Sequence, residues 1–217
     1  MIVTIDGPAG TGKTTIARRV AEKLGYDYFD TGAMYRAVTY QILQKKIDMK
    51  NSGELNAFLE NFHFEIRSVK DGKRYFVDGE DVTETIRSAS VTSHVSEVSA
   101  NPAIRHALLR IQREFGAGKK AVFEGRDMGT VVFPKADVKI FLTARPSVRA
   151  ERRYLELKEK NALTSEEEVM RGLLERDHFD STREVAPLMQ AEDAYLVDTS
   201  DLTLEQVIDR VMALIPS

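Results

Sequence analysis

The chain has 217 residues, of which 42% are hydrophobic and 30% charged, with a net charge of −3 and no cysteine. That length suits one α/β domain with appendages or two small domains, and the composition is that of a globular enzyme, not of a disordered chain. The lack of cysteine excludes disulfides, thiolate metal sites and a cysteine nucleophile, and the acidic balance argues against nucleic acid as a partner.

The first segment, "IVTID" (2–6), is short, β-rich and followed by glycines, so it reads as a strand and not as a leader peptide. Ile16, Ala17, Val20, Ala21 and Leu24 then repeat with helical period, and Gly25 is placed to stop that helix. "YDYFD" (26–30), "KAVFEG" (120–125), "VKIFLT" (138–143) and "AYLVD" (194–198) are further strand candidates. Strands alternating with helices predict a parallel α/β sheet. Asn101-Pro102 opens a helix whose Ile104, Leu108, Ile111 and Phe115 share a face, with Gly116 read as its stop. Thr164-x-x-Glu167 and Thr203-x-x-Gln206 read as capping boxes. One segment, 62–82, departs from the alternation: it predicts two strands around Asp71-Gly72 and a second turn at Asp78-Gly79. No apolar run approaches the length of a membrane span.

Between the first strand and the first helix lies Gly7-Pro8-Ala9-Gly10-Thr11-Gly12-Lys13-Thr14, followed by Thr15. This satisfies G-x-x-x-x-G-K-[ST], the P-loop: backbone N–H groups cradle phosphate at a helix N-terminus. In this pattern Lys13 reaches the terminal phosphates and the Thr14 hydroxyl ligates Mg²⁺, which points to a nucleoside triphosphate. A switch GTPase, a motor ATPase and a small-molecule kinase all carry such a loop. The chain has no N-K-x-D element to read guanine, and it is short for a motor. It does have arginines near predicted strand ends, where ligands of open α/β sheets bind. Arg36 follows the second strand, Arg126 and Asp127 follow "KAVFEG", and Arg149, Arg152 and Arg153 lie on the helix after "VKIFLT". Arg176, Asp180 and Arg183 fall at i, i+4 and i+7, one helical face. Arginine suits phosphate because its planar guanidinium grips two oxygens and stays charged.

The combination of "TIDGPAGTGKTT", "FDTGAMYRAVT", the mid-chain hairpin, "EGRDMGTVVFP", "VKIFLTA" and "RDHFDSTREVAPL" resembles the bacterial cytidylate kinase family, in order, over about residues 2–215. The resemblance implies a P-loop core with a five-stranded parallel sheet over about 1–30, 111–145 and 181–217. It also implies a hairpin-bearing monophosphate lobe at about 31–110 and a helical lid at about 146–180. The implied reaction moves the γ-phosphoryl of Mg-ATP to CMP or dCMP, in a cytoplasmic monomer with no nucleic-acid or membrane partner. On matching positions, Thr31, Tyr35 and Arg36 line the monophosphate site, and Arg36 and Arg126 grip the acceptor phosphate. Ser96, Arg105 and Asp127 meet the cytosine edge with Arg183 close by, Arg176 and Asp180 contact the ribose, and Arg149 and Arg153 belong to the lid and the catalytic set. A carboxylate at Asp127 can accept from the exocyclic amine of cytosine and repel the oxygen of uracil. Ala9 and Thr31 stand where relatives often have serine; the cradle works through backbone amides and Thr31 keeps a hydroxyl. Two other readings stay open: a kinase for another small acceptor, and a nucleotide-sensing module without turnover. The histidines at 63, 94, 106 and 178 show no metal-ligand spacing, and Tyr28, Phe29 and Met34 are expected to pack.

Overall fold

The computed structural model describes residues 1–69, 72–159 and 163–216. Asp71 of the predicted hairpin turn, and residues 160–162 of the predicted lid, lie outside the described residues.

Five parallel strands form the main sheet: β1 (Ile2–Asp6), β2 (Asp27–Asp30), β6 (Ala121–Gly125), β7 (Val138–Thr143) and β8 (Tyr195–Asp198), in the order β2-β6-β1-β7-β8. Each lies within the segment that the sequence offers as its strand. β1 is central because it is buried on both faces, and β6 is buried at every position, as parallel strands covered on both sides require. β1 pairs with β6 on one side and β7 on the other. The sheet order therefore reverses at the end of β1, where the P-loop begins.

Helix α1 (Lys13–Leu24) buries Ile16, Ala17, Val20 and Ala21 against the sheet beside Val207, Ile208 and Val211 of α8 (Leu204–Met212). Gly25 stops α1 as expected: at φ 66° its amide reaches the carbonyls of Ala21 and Glu22. Phe29, Phe123 and Phe115 stack with ring centroids 4.6 and 5.4 Å apart, and Phe133 packs 4.5 Å from Phe123. Helix α6 (Pro146–Glu159) and α7 (Glu166–Thr182) share a small core of Ala150, Val169 and Leu173.

The chain divides into two compact units, Met1–Asp30 with Phe115–Ser217, and Thr31–Glu114. The second holds α2 (Thr31–Lys45), α3 (Ser52–Glu60), α4 (Ala89–Ala100) and an antiparallel sheet of β3 (Phe64–Val69), β4 (Gly72–Val77) and β5 (Glu80–Asp81). Asp78 and Gly79 both have positive φ, the geometry of a two-residue hairpin turn, so the second predicted turn forms as the Asp-Gly pair dictates.

Three expectations shift. The helix opened by Asn101-Pro102, α5 (Pro102–Gly116), runs through Gly116. A Cβ at Gly116 would come within 2.9 Å of the Phe133 ring, so that glycine serves close packing, and the left-handed residue is Gly118. The capping box of α7 is Ser165-x-x-Glu168, one residue later than predicted, with both reciprocal bonds made. Arg183 lies just beyond α7 in extended conformation, so it does not share the helix of Arg176 and Asp180.

Candidate active site

At the end of β1 the backbone must turn under the sheet edge. Gly7 (φ 146°) has no room for a side chain, since a Cβ would lie 2.1 Å from the Leu142 carbonyl oxygen. Gly10 (φ 78°) packs against α6, where a Cβ would meet the Arg149 backbone oxygen at 3.0 Å. Gly12, the residue before α1, offers no side-chain cap, which leaves the first amides of the helix for an anion. Thr11 braces the loop by donating to the Pro8 carbonyl at 3.1 Å.

Lys13 is buried and donates to the Pro8 carbonyl at 2.6 Å. Burial holds its pKa well below the ordinary lysine range, and the nearby Arg126 charge, then Arg176, push it further down. Cations brought this close together repel, and a polyphosphate between them removes that cost. Thr14 donates to Glu124 Oε2 at 3.0 Å, and the Tyr28 hydroxyl donates to Glu124 Oε1. Burial, then the Asp30 charge, pushes the Glu124 carboxyl up to about 7, against the opposing pull of Tyr28, Lys13 and Thr14.

Beyond β6 a second cluster forms. Arg126 donates through Nε to Asp180 Oδ2 at 3.0 Å. Arg176 and Arg183 approach the same carboxylate at 3.9 and 3.8 Å, and Arg183 also lies 3.9 Å from Asp127 Oδ1. Asp127, Asp180 and the Arg183 side chain are nearly inaccessible to solvent. Five of the predicted site residues therefore meet in one network, although they come from a strand end, a helix and the segment after it.

The arginines of α6 separate instead of clustering. Arg149 is buried, donating to Ala144 O and Ala9 O at 3.0 Å and pairing with Asp177 at 2.5 Å. Arg152 is spent on Thr199, and Arg153 pairs with Glu156 on the half-exposed face. His178 is exposed on α7.

In the second unit, Thr31 and Tyr35 are buried at the start of α2. Arg36 donates to Thr92 Oγ1 at 2.9 Å, and the Arg105 guanidinium lies 5.3 Å from the Tyr35 ring centroid while donating to Ser99 O at 2.9 Å. Ser96 is half-buried on the α4 face it shares with Thr92 and Ser99, whereas Ser93 is exposed and bonds Ser90 O.

The cytidylate kinase family model matches residues 3–217. The chain belongs to the cytidylate kinase family. A cytidylate kinase of Protochlamydia amoebophila is 52% identical, over 98% of this chain and 95% of that protein. One of Enterococcus faecalis is 45% identical, over 98% of this chain and 94% of that protein. Among solved structures, a shikimate kinase from Bacteroides thetaiotaomicron has a TM-score of 0.50 over 99% of this chain and 97% of that one, at 16% identity, which is a likeness of fold. As a family member the chain is a P-loop kinase that uses ATP.

The sequence by itself does not point to several residues that the structure places in or beside this candidate site. Glu124 and Asp6 each stand in a buried, mostly apolar strand, and a carboxylate in such a place is itself a signal. Tyr28 packs in the core as expected but also bonds Glu124, which its periodicity alone does not reveal. Asp177, the partner of Arg149, is one acid among several on α7, and only the packing of α6 on α7 selects it.

Proposed function

We propose that the protein transfers the γ-phosphoryl of ATP to CMP or dCMP, giving the diphosphate. The observation that carries the reading is the cytidylate kinase family match over residues 3–217, joined to a P-loop whose buried Lys13 donates to the Pro8 carbonyl and whose Thr14 bonds Glu124. The P-loop amides from Gly7 to Thr15 hold the β- and γ-phosphates, and Lys13 follows the charge as it moves. Arg126 grips the transferring or acceptor phosphate, and Arg149, fixed to the loop through Ala9, holds the donor side with Arg153. Arg36 completes the acceptor phosphate site with Thr31 and Tyr35. Asp127 accepts from the cytosine amine, Ser96, Arg105 and Arg183 are further base contacts, and Arg176 and Asp180 take the ribose.

Mg²⁺ fits the residues present. A threonine hydroxyl bonded to a carboxylate is a hard oxygen set of the kind that holds this ion together with substrate phosphates. Thr14 would bind it with Glu124 behind, and the ion would neutralise charge on the phosphates. The lobe for the monophosphate spans about 31–110 and the lid about 146–180. Their closure excludes water, so that ATP is not simply hydrolysed. The protein acts as a cytoplasmic monomer on small nucleotides, without nucleic acid or membrane; among the described residues no helix is long and apolar enough to cross one.

The test is ADP release from Mg-ATP against CMP, dCMP, UMP, AMP and no acceptor. Release that depends on CMP or dCMP, with UMP far slower, is expected. Equal rates with UMP would remove Asp127 as base reader, and no acceptor-dependent release would remove the kinase reading. Arg126→Ala is expected to collapse turnover while the protein still melts cooperatively, and normal rates in that variant would sink its assignment.

A further inference from the structure

Asp6 takes no part in the chemistry set out above, yet it is a buried carboxylate beside the active site, 4% exposed at the end of β1. Two backbone amides converge on it, one to each oxygen: Met128 donates to Oδ1 at 2.9 Å and Gly129 to Oδ2 at 2.8 Å. These residues open a π-helical turn, Met128–Val132, whose wide winding also brings the Val131 and Val132 amides to the Asp127 carbonyl at 2.9 and 3.1 Å. Such turns are rare and concentrate at functional sites. The approach of this turn to β1 is tight. A Cβ on Gly129 would lie 3.1 Å from Thr4 Oγ1, 3.2 Å from Lys139 Cδ and 3.4 Å from Asp6 Oδ2.

The position of Asp6 in the chain matters as much as its bonds. The next residue, Gly7, begins the P-loop, and the two residues before Met128 are Arg126 and Asp127. One side chain thus ties the strand that carries the donor cradle to the loop that carries the acceptor residues. Burial pushes its carboxyl up to about 6, with the Asp127 charge adding to it, so at neutral pH an ionised group is held there against a cost that the two amide bonds and the Lys13 charge offset only in part.

We propose that Asp6 is a positioning residue for the acceptor: by capping the π-helical turn from β1, it holds Arg126 and Asp127 in register with the P-loop. This rests on the kinase reading and on Arg126 and Asp127 as acceptor-binding residues. An asparagine at this place keeps the size but turns an amide group toward one of the two N–H donors, so one bond is lost. Asp6→Asn in the full chain is expected to lower kcat/KM for CMP by roughly tenfold to a hundredfold, the usual cost of a misplaced reacting group. The Kd for ATP, measured by equilibrium displacement of a fluorescent ATP analogue without acceptor, is expected to stay within about threefold, because Asp6 bonds the turn and not the P-loop and reaches Lys13 only through its charge, the smallest of the influences on that lysine. Gly129→Ala, which wedges the turn away from Asp6 without altering any charge, is expected to reproduce the pattern and decides the matter if Asp6→Asn fails to fold.

Wild-type kcat/KM in both variants would overturn the proposal. So would a loss of ATP affinity as large as the loss toward CMP, which would mark general damage. Failure of both variants to fold would assign Asp6 a structural role alone and overturn it likewise. If the unaltered protein does not turn over CMP at all, the kinase reading falls, and this inference with it.

Discussion

A carboxylate inside a covered parallel strand is costly, and adjacent strands of this sheet hold two, Asp6 on β1 and Glu124 on β6. Their raised pKa values, to about 6 and about 7, express that cost. For Asp6 the sign follows from linkage. The native state keeps its proton to higher pH than the unfolded chain does, so the stability contribution is intact below the unfolded carboxyl range and is lost as pH rises through about 6. The Tm of Asp6→Asn relative to the unaltered protein is therefore expected to rise between pH 5 and pH 7, because only the carboxylate titrates. Melting both proteins across that range checks it, and a constant difference would contradict it. Tyr28→Phe keeps the packed ring but removes the donor to Glu124, leaving a buried acceptor one bond short. A loss of about 1 kcal/mol is expected, roughly 2–4 °C in Tm for a chain of this size.

Among the elements, the strands are the most legible in the sequence, because short runs of β-branched and aromatic residues bounded by glycine or polar turns leave few alternatives. Helix ends were read less well, for a physical reason. Thr164 and Ser165 are both competent caps with an acid three residues on, and only the direction of chain entry decides that Ser165 bonds the Glu168 amide. Ser165→Ala is expected to cost about 1 kcal/mol by denaturant titration. Thr164→Ala, which loses exposed bonds to the Glu168 side chain and the Ser165 carbonyl but no bond to a helix amide, should stay within about 0.5 kcal/mol. Gly116 shows a similar ambiguity: a glycine late in a helix can stop it or let it touch a ring, and the nearness of Phe133 decides. Contact between α6 and the P-loop gives a further prediction. Gly10→Ala forces a side chain onto the Arg149 backbone at a left-handed φ, so ATP affinity should drop by at least about tenfold, with a stability loss on the order of 1–3 kcal/mol. Equilibrium binding and melting of the variant test both.

Across the whole molecule the net charge is only −3, yet Lys13 and Arg126 are held near one another, with Arg176 also in reach. A polyphosphate between them adds to the carboxylates of Glu124, Asp6 and Asp180 that already offset part of their charge. Bound nucleotide should therefore stabilise the fold by mass action, by about 2.7 kcal/mol at a hundredfold excess over Kd. That corresponds to a rise of roughly 5–10 °C in Tm with ATP. Thermal melting with and without ATP measures it, and an unchanged Tm would remove the P-loop as a nucleotide site.

The linear order of residues determined the strands of the main sheet, the phosphate cradle and the family, because each rests on local pattern: β-branched runs, glycines at fixed spacing, and motifs a few residues long. Tertiary structure decided which charges meet. That Asp180 gathers Arg126, Arg176 and Arg183, that Arg149 takes Asp177 while Arg152 takes Thr199, and that Asp6 caps a turn more than a hundred residues away all depend on side chains brought together by the sheet order. Charged residues are common along any surface helix, and their spacing alone does not say which one the packing will bury beside a partner.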